Sequence, residues 1–196
     1  MVFIENKNLE IKRQLFHLIT GLIGTFLYFM DWIGLKFMIG FLVVLLVMIF
    51  IYTKKRIRFV DFFVRHFERP DALYLGKGLI DMLVGAILVV WIFEPINKNI
   101  VLASFMILSI GDSISPIIGM KFGKRVVKII SEKKFIEGIL AGIVCSTLGA
   151  NLFVPFVPAL VASTLAMLVE AWELKHKLDD NILILAVSSV VLFFMV

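Results

Sequence analysis

The chain has 196 residues, 61% of them hydrophobic, with a mean hydropathy of +1.02, which is far too apolar for a soluble domain and predicts one integral membrane domain over 1–196. The formal charge of +5 does not call for a nucleic-acid partner, because the cations flank apolar runs, where orientation and anionic lipid head groups account for them. The single cysteine, Cys145, lies inside an apolar run and excludes intrachain disulfides and cysteine-based zinc sites.

Cutting at the apolar runs predicts an all-α helix bundle of about seven transmembrane spans: Lys12 to Met30, Trp32 to Tyr52, Lys77 to Phe93, Asn99 to Gly119, Phe135 to Phe153, Pro155 to Ala171 and Asn181 to Val196. A span needs roughly 20 residues, so some of these start or end in the interface. The polar start MVFIENKNLEIKR and the lack of a small-residue cleavage signature predict a retained first helix. Between the second and third spans, Ile57, Val60, Phe63, Val64 and Phe67 recur at helical spacing against a basic face. That pattern predicts a helix lying in the interface plane, ended near Pro70. Eighteen of the 20 Lys and Arg residues fall on one side of this arrangement, and only Lys36 and Lys98 fall on the other. The positive-inside rule then predicts a cytoplasmic N-terminus and, with an odd number of spans, a C-terminus outside.

Two stripes of small residues, Gly111, Ser115 and Gly119 on the fourth span and Gly138, Gly142, Ser146 and Ala150 on the fifth, read as faces for close helix packing. Packing does not explain the charges beside them. An ionisable group within a span costs about 2.5–3.5 kcal/mol at the helix centre on insertion scales, so it is a functional candidate by default. Asp112 is the sharpest case: mostly apolar residues precede it, and Gly111, Pro116 and Gly119 predict an interrupted helix with backbone groups near Ser113 freed for a ligand. The next loop supplies Lys121, Lys124, Arg125 and Lys128. A carboxylate, freed backbone and a basic loop suit magnesium with a polyphosphate, since magnesium takes one or two carboxylates and shares phosphate oxygens.

Three more charged clusters open or close spans on the same side. Lys12, Arg13 and His17 begin the first helix, with residues 13 and 17 on one face. Lys133, Lys134 and Glu137 begin the fifth, where an acid in the first turn is also favoured by the helix dipole. Glu170, Asp179, Asp180 and Asn181 bracket the sixth-to-seventh turn; one such residue suffices for a helix cap, and three beside Glu170 look more like a ligand site. Lys77 and Asp81, four apart, read as a structural pair, and His66 and His176 lack companions for a metal site. GMKFGKR misses the P-loop pattern by one residue between its glycines and by arginine in place of Ser or Thr. No G-x-G-x-x-G, serine nucleophile elbow or H-E-x-x-H occurs.

The ordered set KRQLFHLITG, GDSISPIIGMKFGK, KKFIEGILAG and VEAW…DDNILIL resembles the membrane kinases that phosphorylate lipid alcohols with CTP: dolichol kinase, fungal CTP-dependent diacylglycerol kinase, and plant phytol and farnesol kinases. It runs from about Lys12 to the last span. Ser115 stands where that family often has alanine, and Lys134 or Phe135 near a common serine.

The resemblance implies a kinase acting at the cytoplasmic face on a lipid alcohol from the bilayer, a polyprenol, a phytol-like alcohol or diacylglycerol, with CTP as donor and magnesium as cofactor. It implies catalytic roles for Asp112, Arg13, His17 and Glu137. Nucleotide contacts would come from Lys12, Gly111, Ser113, Gly119, Lys121, Gly123, Lys124, Lys133, Lys134 and Asn181, and metal contacts from Asp112, Glu170, Asp179 and Asp180. A lipid-phosphate cytidylyltransferase is the nearest alternative, because it uses the same nucleotide, metal and interface. A small-solute transporter is the alternative from another class, but the fourth span has no broken partner and the charges crowd one face.

Overall fold

The computed structural model describes residues 7–67, 74–126, 134–172 and 179–196; Pro70, Lys128, Lys133 and His176 lie outside the described residues. The helices are α1 (Lys7–Phe29), α2 (Leu35–Lys54), α3 (Arg58–Phe67), α4 (Lys77–Phe93), α5 (Lys98–Met106), α6 (Asp112–Phe122), α7 (Ile136–Ala150), α8 (Phe156–Ala171) and α9 (Asp180–Met195). A single isolated β-bridge, Val126 to Phe135, is the one extended pairing among the described residues. Each of the seven apolar segments thus folds as a helix, with α3 as the extra one. Two rods, Leu35–Lys54 and Lys98–Phe122, are long and apolar enough to cross a membrane by length and composition.

The interruption expected at Gly111, Pro116 and Gly119 does not occur. Residues Lys98–Phe122 form one continuous rod, in which Ile107–Gly111 widen into a π turn immediately before Asp112. Such a turn shifts the hydrogen-bond register without ending the helix. Pro116 sits inside α6 and has no N–H to give the Asp112 carbonyl, so one ordinary i to i+4 bond is missing where the π turn ends. This rod is the centre of the bundle: 67% of its most apolar stretch is buried, against 11% for α2. Val101, Ala103, Ser104 and Ile107 have no exposed surface.

Small residues set how closely the other helices approach. The two stripes face one another. A Cβ added at Gly138 would strike the Ser115 carbonyl and stand 3.0 Å from the Gly119 Cα, and one at Gly142 would meet the Ser115 Cβ at 3.1 Å. Gly111 is closed off by Met167 of α8 and Ser146 of α7. On the other flank, α1 runs antiparallel to the central rod: Tyr28 meets Phe105 edge-on at 5.5 Å, Gly21 lies against the Ser109 side chain, and His17 reaches Asp112.

Contacts at the two ends orient the remaining rods. Lys77 bonds Asp179, joining the starts of α4 and α9, and Phe93 packs on Phe193, joining their ends, so these helices are parallel. At the end opposite Asp112, Lys98 pairs with Asp31, the one non-glycine residue with positive φ (58°) among the described residues, and Phe29 packs on Phe153. The Asp112 end therefore gathers the starts of α1, α4, α7 and α9 and the finishes of α6 and α8.

Candidate active site

Four helices bring charge to the Asp112 end. His17 Nε2 lies 3.5 Å from Oδ2 of Asp112; both side chains are mostly buried, and Nε2 is buried without a hydrogen-bond partner. That separation is too long for a good hydrogen bond, so the imidazole nitrogen and the carboxylate face one another without bonding. On α8, Glu170 is 4% exposed, and Lys134 Nζ bonds both its carboxylate and, at 2.9 Å, its backbone carbonyl. Its second oxygen, Oε2, is buried and unpartnered. The charges of Lys134, Asp112 and Asp180 all bear on this carboxylate, so three acids and a lysine share one electrostatic neighbourhood. Ser113 is fully buried with an unpartnered hydroxyl, directly after Asp112. Buried polar atoms left without partners are rare, and their concentration here suits a ligand.

The loop after α6 is held by its own ends. Gly123 N–H donates to the Gly119 carbonyl at 2.9 Å, and Ile136 N–H to the Arg125 carbonyl at 3.0 Å. The Glu137 carboxylate accepts the Arg125 backbone N–H at 3.3 Å. Gly123 is required at its position because a Cβ there would strike the Phe135 ring. Glu137 thus anchors the segment that carries Lys121, Lys124 and Arg125, all of whose side chains are exposed. Lys133 lies outside the described residues.

Other expected site residues make contacts with neighbours of their own. Asp179 accepts the Asn181 backbone N–H at 3.1 Å and its side-chain amide at 2.8 Å, capping α9, while its other oxygen takes Lys77 at 2.5 Å. Arg13 pairs with Glu10 at 2.5 Å, and the buried Gln14 donates to the same carboxylate at 2.8 Å. Lys12 is exposed on the outer face of α1. Sequence reasoning missed Glu10 and Gln14, although their spacing of three and four residues was a visible signal.

The expected metal set of Asp112, Glu170, Asp179 and Asp180 is not a preformed cage. Among the described residues no three His, Cys, Asp or Glu side chains converge as metal ligands; Lys77 pairs with Asp179 and Lys134 with one oxygen of Glu170. The donors still fit magnesium. They are hard oxygens, Glu170 Oε2 is buried without a partner, and magnesium is commonly held by one or two carboxylates plus substrate phosphates.

A search of curated proteins and a search of solved structures each find no match to this chain. The model of the cytidylyltransferase family, by contrast, matches residues 3–195, which takes in every helix and every residue of the site just described. The chain therefore belongs to the cytidylyltransferase family.

Proposed function

We propose that the protein is a multi-pass membrane enzyme that transfers the terminal phosphoryl group of CTP to the hydroxyl of a lipid alcohol, with magnesium, at the cytoplasmic face. The observation that carries this reading is His17 beside Asp112. An alcohol must lose a proton as it attacks phosphorus, and a buried imidazole nitrogen without a hydrogen bond, 3.5 Å from a carboxylate, suits its removal. A lipid phosphate is already ionised at neutral pH and needs no such base.

In this reading the alcohol oxygen forms a bond to the γ-phosphorus while the bond from that phosphorus to the bridging oxygen breaks. CDP leaves, and His17 Nε2 takes the proton. Asp112, with Glu170 or Asp180, would hold magnesium, which supplies positive charge to the triphosphate and to the developing leaving group. Lys134, Lys124, Lys133 and Arg13 add cationic charge around the phosphates, and Glu137 keeps the loop carrying Lys124 in place. Phosphoryl transfer asks little more of a protein than alignment and electrostatic stabilisation.

Membrane insertion rests on α2, whose Phe37, Val43, Val44, Val47 and Phe50 are all more than half exposed, and on the basic residues gathered on one side. With seven spans the N-terminus is cytoplasmic and the C-terminus outside. The family's description favours a second reading, transfer of the cytidylyl group to a lipid phosphate. Product analysis separates the two. Purified protein given CTP labelled at the α- or γ-phosphorus, with a lipid alcohol or phosphatidate, should release CDP and place γ-label in the lipid. Pyrophosphate release with α-label in the lipid would instead establish the cytidylyltransferase.

A further inference from the structure

His17 and Asp112 stand on different helices, so their 3.5 Å separation depends on how closely α1 approaches the central rod. One turn further along the same face of α1, Gly21 lies against Ser109. Ser109 comes three residues before Asp112, inside the π turn. A methyl group at Gly21 would strike the Ser109 hydroxyl and stand 2.7 Å from its Cβ and 3.4 Å from its Cα.

Turning the Ser109 side chain would not relieve that clash. Its hydroxyl donates to the Phe105 carbonyl at 2.7 Å, and whichever rotamer it takes, its Cβ stays fixed to the rod. Carbon atoms rest about 3.5–4.0 Å apart, so a methyl at Gly21 would drive α1 back by roughly 1 Å. The next glycine of α1 is the contrast: a Cβ at Gly24 would meet nothing within 4 Å.

We infer that Gly21 is a positioning residue: its missing side chain lets α1 lie close enough to the π turn for His17 to face Asp112. It acts through His17, by setting the distance between the proposed proton acceptor and the carboxylate. This rests on the functional reading above, in which His17 takes the proton of the lipid alcohol. A misplacement of about 1 Å in a reacting group can cost on the order of 10²-fold in rate.

The test compares full-length wild type, Gly21→Ala, Gly24→Ala and the size swap Gly21→Ala with Ser109→Gly, each purified in detergent. In the swap the Ser109 Cβ and hydroxyl are gone, and the Cα at 3.4 Å is an ordinary contact. The first readout, 15N NMR of histidine-labelled protein, needs no substrate. The His17 resonance is assigned by its loss in His17→Gln, and its shift on adding Asp112→Asn reports whether the two side chains face one another. The second readout is kcat and KM for CTP with a lipid alcohol. Gly21→Ala should lose most of the NMR shift and lower kcat about 100-fold with KM for CTP unchanged. Gly24→Ala should behave as the wild type, and the swap should restore both readouts. A Gly21→Ala protein that keeps both readouts overturns the positioning role. Should Gly21→Ala alone not fold, the swap must fold and show both wild-type readouts, and its failure to do so overturns the inference. An NMR shift lost and regained as expected, with kcat unmoved or no turnover even in the wild type, upholds the spacing role and overturns the functional reading.

Discussion

His17 and Asp112 meet across the α1–α6 contact at 3.5 Å, at the point where the π turn ends and Pro116 withholds a backbone donor. A π turn in the middle of a helix is frequently found at functional sites, because it turns side chains that an α-helix would point elsewhere. The two residues belong to one unit, so removing either should cost about as much as removing both. Asp112→Asn should lower phosphoryl transfer by a factor of about 10²–10³, the usual cost of one transition-state electrostatic contact. His17→Gln should lower it by about 10²–10⁴ if it moves the proton. Lys36→Gln, at the opposite end, is the control. Near-normal turnover in a monodisperse Asp112→Asn protein would remove its metal role and shift attention to Glu170 and Asp180.

The distribution of lysine and arginine predicts the topology. Reporter fusions should place the N-terminus and the 120–134 loop in the cytoplasm, and the end after Val196 outside. A reporter showing that loop on the outer side would separate the site from its nucleotide and sink the proposed reaction.

Much of this architecture was legible because hydropathy reports burial from water directly: the seven apolar runs end within a few residues of α1, α2, α4, α5–α6, α7, α8 and α9. The small-residue stripes were equally readable, since Gly138 and Gly142 meet the Ser115 and Gly111 backbone as four-residue spacing predicts. The continuity of the central rod was not. Gly and Pro signal a break in local propensity, whereas the neighbours of the π turn, on α1, α7, α8 and α9, come from distant parts of the chain. Roles within D-D-N were equally hidden, because Lys77 lies 102 residues from Asp179 and no local pattern encodes that contact.

Nucleotide choice is the next measurable consequence. No P-loop is present, and the chain falls in the cytidylyltransferase family, so CTP should outperform ATP as donor with magnesium. Equal or better use of ATP over a range of concentrations would contradict the proposed donor.

The Lys134–Glu170 pair separates stability from catalysis. Glu170 is 4% exposed and Lys134 also bonds its backbone carbonyl at 2.9 Å, so the ammonium is what makes a buried carboxylate tolerable. Lys134→Met leaves that charge uncompensated and should destabilise the protein by about 3–5 kcal/mol, read as an earlier thermal transition in detergent. Adding Glu170→Met removes the stranded charge, and replacement of a buried pair by apolar side chains of similar volume is often neutral or stabilising. The double variant should therefore recover the thermal transition. It should not recover turnover, because the variant lacks both the cation proposed to neutralise the phosphates and a carboxylate proposed to hold the metal. Recovery of activity together with stability would mean that the pair is only a packing device, and the ligands for the metal would then have to be sought at Asp112 and Asp180 alone.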